Sequence, residues 1–210
     1  MIISLTGFMG CGKSSIGRRL SELLCCPFMD LDEIIESRTG RSIPEIFAMD
    51  GEDAFRKMEK SELHTHLSDH QRRFGRSLRS PHHCASLVVP PLSCRGWHGP
   101  HHPLSDQKDV NEVLALGGGT VMTKECADMV HEMTICIYLR ATVDTLMANL
   151  NDETEGRPML KSEDGLEARI KELMSMRAET YERTAHIIVD TDGKSIDEIA
   201  EAVRTALMKQ

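Results

Sequence analysis

Apolar positions along the chain keep two rhythms. Short, nearly continuous apolar runs alternate with longer stretches in which apolar residues recur at helical spacing. Ile2-Ile3-Ser4-Leu5 reads as a buried strand. Residues 14–24 follow with helical spacing, Ile16, Leu20, Leu23 and Leu24 sharing one face. Pro27-Phe28-Met29 reads as a short strand ending in Asp30-Leu31-Asp32, with a helix over 33–39 closed by Gly40. Ser42-Ile43-Pro44-Glu45 carries a helix-start signal, because proline tolerates the first helical turn. Met49-Asp50-Gly51 reads as a turn, and an amphipathic helix over 52–67 puts Phe55, Met58 and Leu63 on its apolar side. Further strands are expected at 113–116, 134–139 and 187–189. Further helices are expected at 123–131, 142–150, from about 165 to 182, and at 195–208. Ser195 and Glu198 there have capping-box spacing. Strands alternating with helices predict an α/β fold with a parallel sheet covered on both faces. Ligands in such folds lie at the C-terminal ends of the strands.

One stretch breaks the rhythm. Residues 71–105 hold five Arg and no Asp, Glu or Lys, in a chain whose net charge is −8. They also hold five of the eight prolines, the only Trp and five of the ten His. A helix-to-strand connection is normally 2–6 residues long, so 71–107 reads as an insert, expected to be disordered. Its His82, His83, Cys84, Cys94, His98, His101 and His102 lack C-x-x-C spacing and give no zinc pattern. The remainder forms one domain over 1–210, with a polar Gly/Pro-containing loop at 151–164. The acidic balance argues against a nucleic-acid partner. No apolar run is long enough for a membrane span. Seven scattered cysteines, Cys25-Cys26 adjacent in an expected core segment, read as reduced cytoplasmic thiols.

The chemistry begins at Gly7-Phe8-Met9-Gly10-Cys11-Gly12-Lys13-Ser14. The pattern G-x-x-x-x-G-K-S between a strand and a helix is a phosphate-binding P-loop. Its glycines let backbone N–H groups turn toward phosphate oxygens, and the helix start adds positive potential. Lys13 is expected on the β- and γ-phosphates, and the Ser14 hydroxyl on magnesium. Cys11 reads as a small residue filling a tight loop. Companions narrow the substrate: the Asp30/Asp32 pair at a strand end, Arg56 in a helix, Gly117-Gly118-Gly119 after a strand, Arg157 in the polar loop and Arg177 near a helix end.

With these residues in this order the chain resembles the shikimate kinases. The resemblance rests on G-F-M-G-C-G-K-S, D-L-D, T-G-R-S-I-P-E-I-F, D-G-E-x-x-F-R, L-G-G-G-T, G-R-P-M-L and M-R-A-E-T-Y, and it lapses over the insert. It implies a three-layer α/β/α P-loop NTPase fold with five parallel strands in the order 2-3-1-4-5. It implies transfer of the ATP γ-phosphoryl group to the 3-hydroxyl of shikimate, with Mg2+ as cofactor, in a cytoplasmic monomer. Carried over by motif, Gly10, Cys11, Gly12, Lys13, Ser14 and Ser15 hold ATP phosphates, and Ser14 and Asp30 hold magnesium, Asp30 through water. Lys13, Asp32 and Arg157 are the catalytic set, Asp32 orienting or deprotonating the hydroxyl and Arg157 swinging in with a lid at 151–164 onto the phosphate. Asp32, Arg56, Gly117, Gly118, Gly119 and Arg177 bind shikimate, the two arginines pairing with its carboxylate. Family members often place an Arg near the end of the helix before the lid, stacked on adenine. That place falls here to Asn149, which implies altered nucleotide affinity or base selectivity. Two other readings stay open: a P-loop kinase of another polyol or sugar acid such as gluconate, and a nucleotide-binding module without phosphoryl transfer.

Overall fold

The computed structural model describes residues 1–74, 110–150 and 165–209. Five strands form one sheet: β1 (Ile2–Thr6), β2 (Phe28–Asp30), β3 (Glu112–Ala115), β4 (Ile135–Arg140) and β5 (Ile187–Asp190). Every pairing is parallel and the order is β2-β3-β1-β4-β5, as expected. Seven helices are seen among the described residues: α1 (Lys13–Leu24), α2 (Leu31–Thr39), α3 (Ile43–Phe74), α4 (Lys124–Met133), α5 (Val143–Leu150), α6 (Leu166–Thr184) and α7 (Ile196–Leu207).

Every residue of β1 is buried, as a central strand between two helical layers requires. Its side chains alternate between two apolar clusters, following the two-residue strand period. Ile3 and Leu5 pack with Ile16, Leu20, Ile199 and Val203 of α1 and α7. Ile2 packs with Leu31, Leu63, Leu114 and Val130 on the other face. There the Ser4 hydroxyl meets the Thr134 hydroxyl at 2.7 Å, whereas the buried Thr6 hydroxyl at the end of β1 has no partner among the described residues. The Ser195–Glu198 capping box starts α7 as anticipated.

Several local readings change. α2 begins at Leu31 because Asp30 is its N-cap, its carboxylate accepting from the Asp32 N–H at 3.0 Å. The cap moves Asp32 from a strand end into the first helical turn. The expected turn at 49–51 is a break inside α3, where Gly51 adopts φ 80°. That left-handed value is open to glycine without strain. α3 then runs past residue 67 to Phe74, four residues into the 71–107 segment. Its His66 bonds to Glu112 at the start of β3, which helps hold the extra turns. Of Cys25-Cys26 only Cys26 is buried; Cys25 is the exposed C-cap of α1 in left-handed conformation. Residues 75–107 of the insert lie outside the described residues, as does 151–164.

Candidate active site

A cleft of about 1060 Å³ opens at the C-terminal ends of β1, β2 and β3. One wall is the P-loop. Gly12 caps α1 in left-handed conformation with no side-chain cap, and no acid stands in the first turn. The first N–H groups of α1 are therefore left for an outside acceptor. The Lys13 ammonium donates to the carbonyls of Gly7 and Phe8, both at 3.0 Å. It lies along the loop it serves. The Ser14 hydroxyl donates to Asp30 Oδ2 at 2.7 Å. These are two hard oxygens beside the phosphate loop, the donor type that magnesium takes directly or through water. Among the described residues no group of three or more His, Cys, Asp or Glu is set to hold a metal ion by itself.

The opposite wall gathers charge. Asp32 Oδ1 is buried without a hydrogen-bond partner. Burial, together with the carboxylates of Glu59 and Asp30, pushes its carboxyl up to about 7, against a smaller opposing pull from Lys13. Arg56 donates to Glu52 at 3.1 and 3.3 Å and also to Glu59. Glu59 is only 1 % exposed, and its second oxygen accepts from the Thr120 hydroxyl at 2.7 Å. A buried carboxylate needs this full set of partners.

The glycine triplet is a matter of space. A Cβ on Gly117 would stand 2.6 Å from Glu59 Oε1 and 3.0 Å from Asp32 Oδ1. A Cβ on Gly119 would stand 2.5 Å from both terminal nitrogens of Arg56. The Gly118 carbonyl accepts from Tyr181 and, at 3.4 Å, from Arg177. Arg177 is 6 % exposed and lies over the Phe8 ring at 5.9 Å from its centroid. The structure thus brings Lys13, Ser14, Asp30, Asp32, Arg56, Gly117–Gly119 and Arg177 to one cleft. Gly10, Cys11, Gly12 and Ser15 line its phosphate side. Arg157 lies outside the described residues.

Three supporting residues escaped the sequence reading: Glu59, Thr120 and Tyr181. Two had a signal. Glu59 falls at i+4 from Phe55 and i−4 from Leu63, an acid on the apolar face of its helix. Tyr181 is one turn beyond Arg177 on the same helix face. Thr120 stood in the sequence only as the end of L-G-G-G-T, since it is the 3₁₀ turn over Thr120–Met122 that aims it at Glu59.

A parallel sheet with a P-loop after β1, and a second wall of paired arginines and a buried carboxylate, defines a P-loop NTPase-fold kinase of small molecules. A sequence profile described as shikimate kinase matches residues 9–73 and 102–208. A shikimate kinase of Thermus thermophilus is 37 % identical over 201 residues, covering 96 % of this chain and 86 % of that protein. One from Dictyoglomus turgidum is 34 % identical over 199 residues, covering 94 % and 91 %. A solved shikimate kinase from Acinetobacter baumannii, in complex with shikimate, superposes with a TM-score of 0.76 at 25 % identity, covering 99 % of this chain and 93 % of that one. The chain belongs to the shikimate kinase family, and it is an ATP-dependent kinase acting on an alcohol group of a small molecule.

Proposed function

We propose that the protein transfers the γ-phosphoryl group of ATP to the 3-hydroxyl of shikimate, giving shikimate 3-phosphate and ADP. The carrying observation is the placement of Asp32, Arg56 and Arg177 across a glycine-lined gap from the P-loop. Two guanidinium groups suit a planar carboxylate, and a carboxyl poised near neutrality suits an alcohol nucleophile.

The roles follow from this chain's own groups. The open N–H groups of the P-loop and the start of α1 receive the phosphate oxygens. Lys13 leaves its loop carbonyls and neutralises charge on the transferring group. Asp32 orients the substrate hydroxyl and accepts its proton. Arg56, anchored by Glu52 and Glu59, and Arg177, anchored by Gly118, hold the substrate carboxylate so that the hydroxyl faces the phosphate in line. Ser14 and Asp30 would hold magnesium. The ion would supply charge neutralisation beside the phosphates. Arg157, in a lid at 151–164, would add a further positive charge to the transferring phosphoryl. The buried thiols of Cys11, Cys26, Cys126 and Cys136 fit a reducing, cytoplasmic place of action, and the reading is of a monomer.

The test is ADP release from ATP with shikimate against gluconate. Turnover with shikimate and background with gluconate is expected. Turnover with gluconate alone moves the substrate assignment, and ADP release independent of either alcohol removes the kinase role.

A further inference from the structure

The C-terminal turn of α5 grips the phosphate loop at Gly10 in two ways. The Asn149 side-chain amide donates to the Gly10 carbonyl at 2.8 Å. The Leu150 side chain, fully buried, fills the space beside Gly10, so that a Cβ there would come within 2.6 Å of it. Gly10 itself has φ +82°, a conformation that glycine holds without strain but shares with many others. A glycine in a loop is therefore conformationally loose unless something outside the loop fixes it.

From this we infer that Asn149 is a positioning residue for the phosphate site: its amide fixes the Gly10 carbonyl and so pre-shapes the P-loop for a polyphosphate. Peptide planarity carries the effect. A carbonyl held toward Asn149 fixes the Cys11 N–H on the opposite side of the same peptide plane. The Cys11 N–H makes only a long bond to the Phe8 carbonyl, at 3.3 Å. Without the Asn149 bond that peptide can rotate, and the loop must be ordered when ligand arrives, at a cost in affinity. Lys13 has its own anchors at Gly7 and Phe8, and the arginine wall touches neither Asn149 nor Gly10. The effect is therefore confined to the phosphate side. One of the two Asn149 N–H donors is committed to the protein backbone, so contact with a base is a separate question that a ligand without a base resolves.

The inference rests on the P-loop as the phosphate site, and the experiment separates the two. Affinities for ATP, for tripolyphosphate (which has no base) and for shikimate are measured by calorimetry on the full chain and on Asn149→Ala and Asn149→Gln, with melting temperatures alongside. One neutral hydrogen bond is worth about a three- to tenfold change in affinity. Asn149→Ala is expected to weaken ATP and tripolyphosphate by that same factor, to leave shikimate binding unchanged and to lower the melting temperature by no more than a few degrees. Asn149→Gln, which keeps the donor, should recover part of the loss. Loss of ATP affinity with tripolyphosphate unchanged would make Asn149 a base contact and overturn the inference. So would no loss for either, or a common fall in all three affinities with the melting temperature. A parent chain that binds neither ATP nor tripolyphosphate would instead remove the phosphate-site reading, and the inference with it.

Discussion

Replacing Asp32 by Asn should trade activity for stability, and the two effects should have different pH dependences. In the folded chain the carboxyl is held at about 7, against an ordinary value of 3.8, because it is buried beside Glu59 and Asp30. The sign follows from proton binding. Below the ordinary value both folded and unfolded forms are protonated, and the site costs nothing. As pH rises the unfolded chain ionises first, so stability falls until the folded carboxyl ionises too, near pH 7. Each pH unit across that window is worth about 1.4 kcal/mol, so the cost reaches at most about 4 kcal/mol above pH 7. An amide carries no such cost and can donate to the neighbouring carboxylates. The Asp32→Asn variant should therefore show a melting temperature several degrees higher than the parent at pH 8 and much less so at pH 5, as scanning calorimetry at the two pH values would read. In coupled assays of ADP release, kcat should fall about 10²- to 10⁴-fold, the range of general-base assistance. The parent enzyme's kcat/KM should rise through about pH 7, and the residual activity of the variant should lose that limb. A kcat within threefold of the parent, or an equal stability gain at both pH values, would refute the placement of Asp32 as a strained, ionisable base.

Five further changes probe the cleft and the segment outside it. Gly119→Ala has a permitted backbone, φ −119°, but its methyl group displaces the Arg56 guanidinium; shikimate KM should rise about tenfold or more, with ATP KM within twofold and a lowered melting temperature, because the displaced group is the ion partner of buried Glu59. Arg56→Ala and Arg177→Ala should each raise shikimate KM about 10- to 100-fold. Only the first strips a buried carboxylate, Glu59, of its ion partner, so calorimetry should find about 3–5 kcal/mol lost there and clearly less for Arg177. Lys13→Ala should abolish nearly all turnover while circular dichroism stays native, since the side chain lies on a loop and not in the core. Replacing residues 75–109 by a short Gly/Ser linker should preserve kcat and both KM values, because α3 ends and β3 begins at the end of the sheet remote from the cleft; loss of activity in a folded variant would put that segment at the site.

Much of this architecture could be read from residue order alone. Strand and helix periods are local properties of side chains, so the five strands, the P-loop and the α7 capping box all stood in the sequence. So did most of the cleft's polar residues, because a phosphate loop, the Asp30-Leu31-Asp32 pair and a glycine triplet are each contiguous motifs. Other features depended on contacts between distant segments. The length of α3 beyond residue 67 is supported by His66 meeting Glu112, forty-six positions away. The raised Asp32 carboxyl arises from burial against Glu59 on another helix. The need for glycine at 119 comes from Arg56, not from the local backbone. The grip of Asn149 on Gly10 spans 139 positions. Local spacing determined what elements form and which chemistry they carry. Desolvation, charge pairing and exclusion of volume act through space, so only the packed chain decided how those groups are held and tuned.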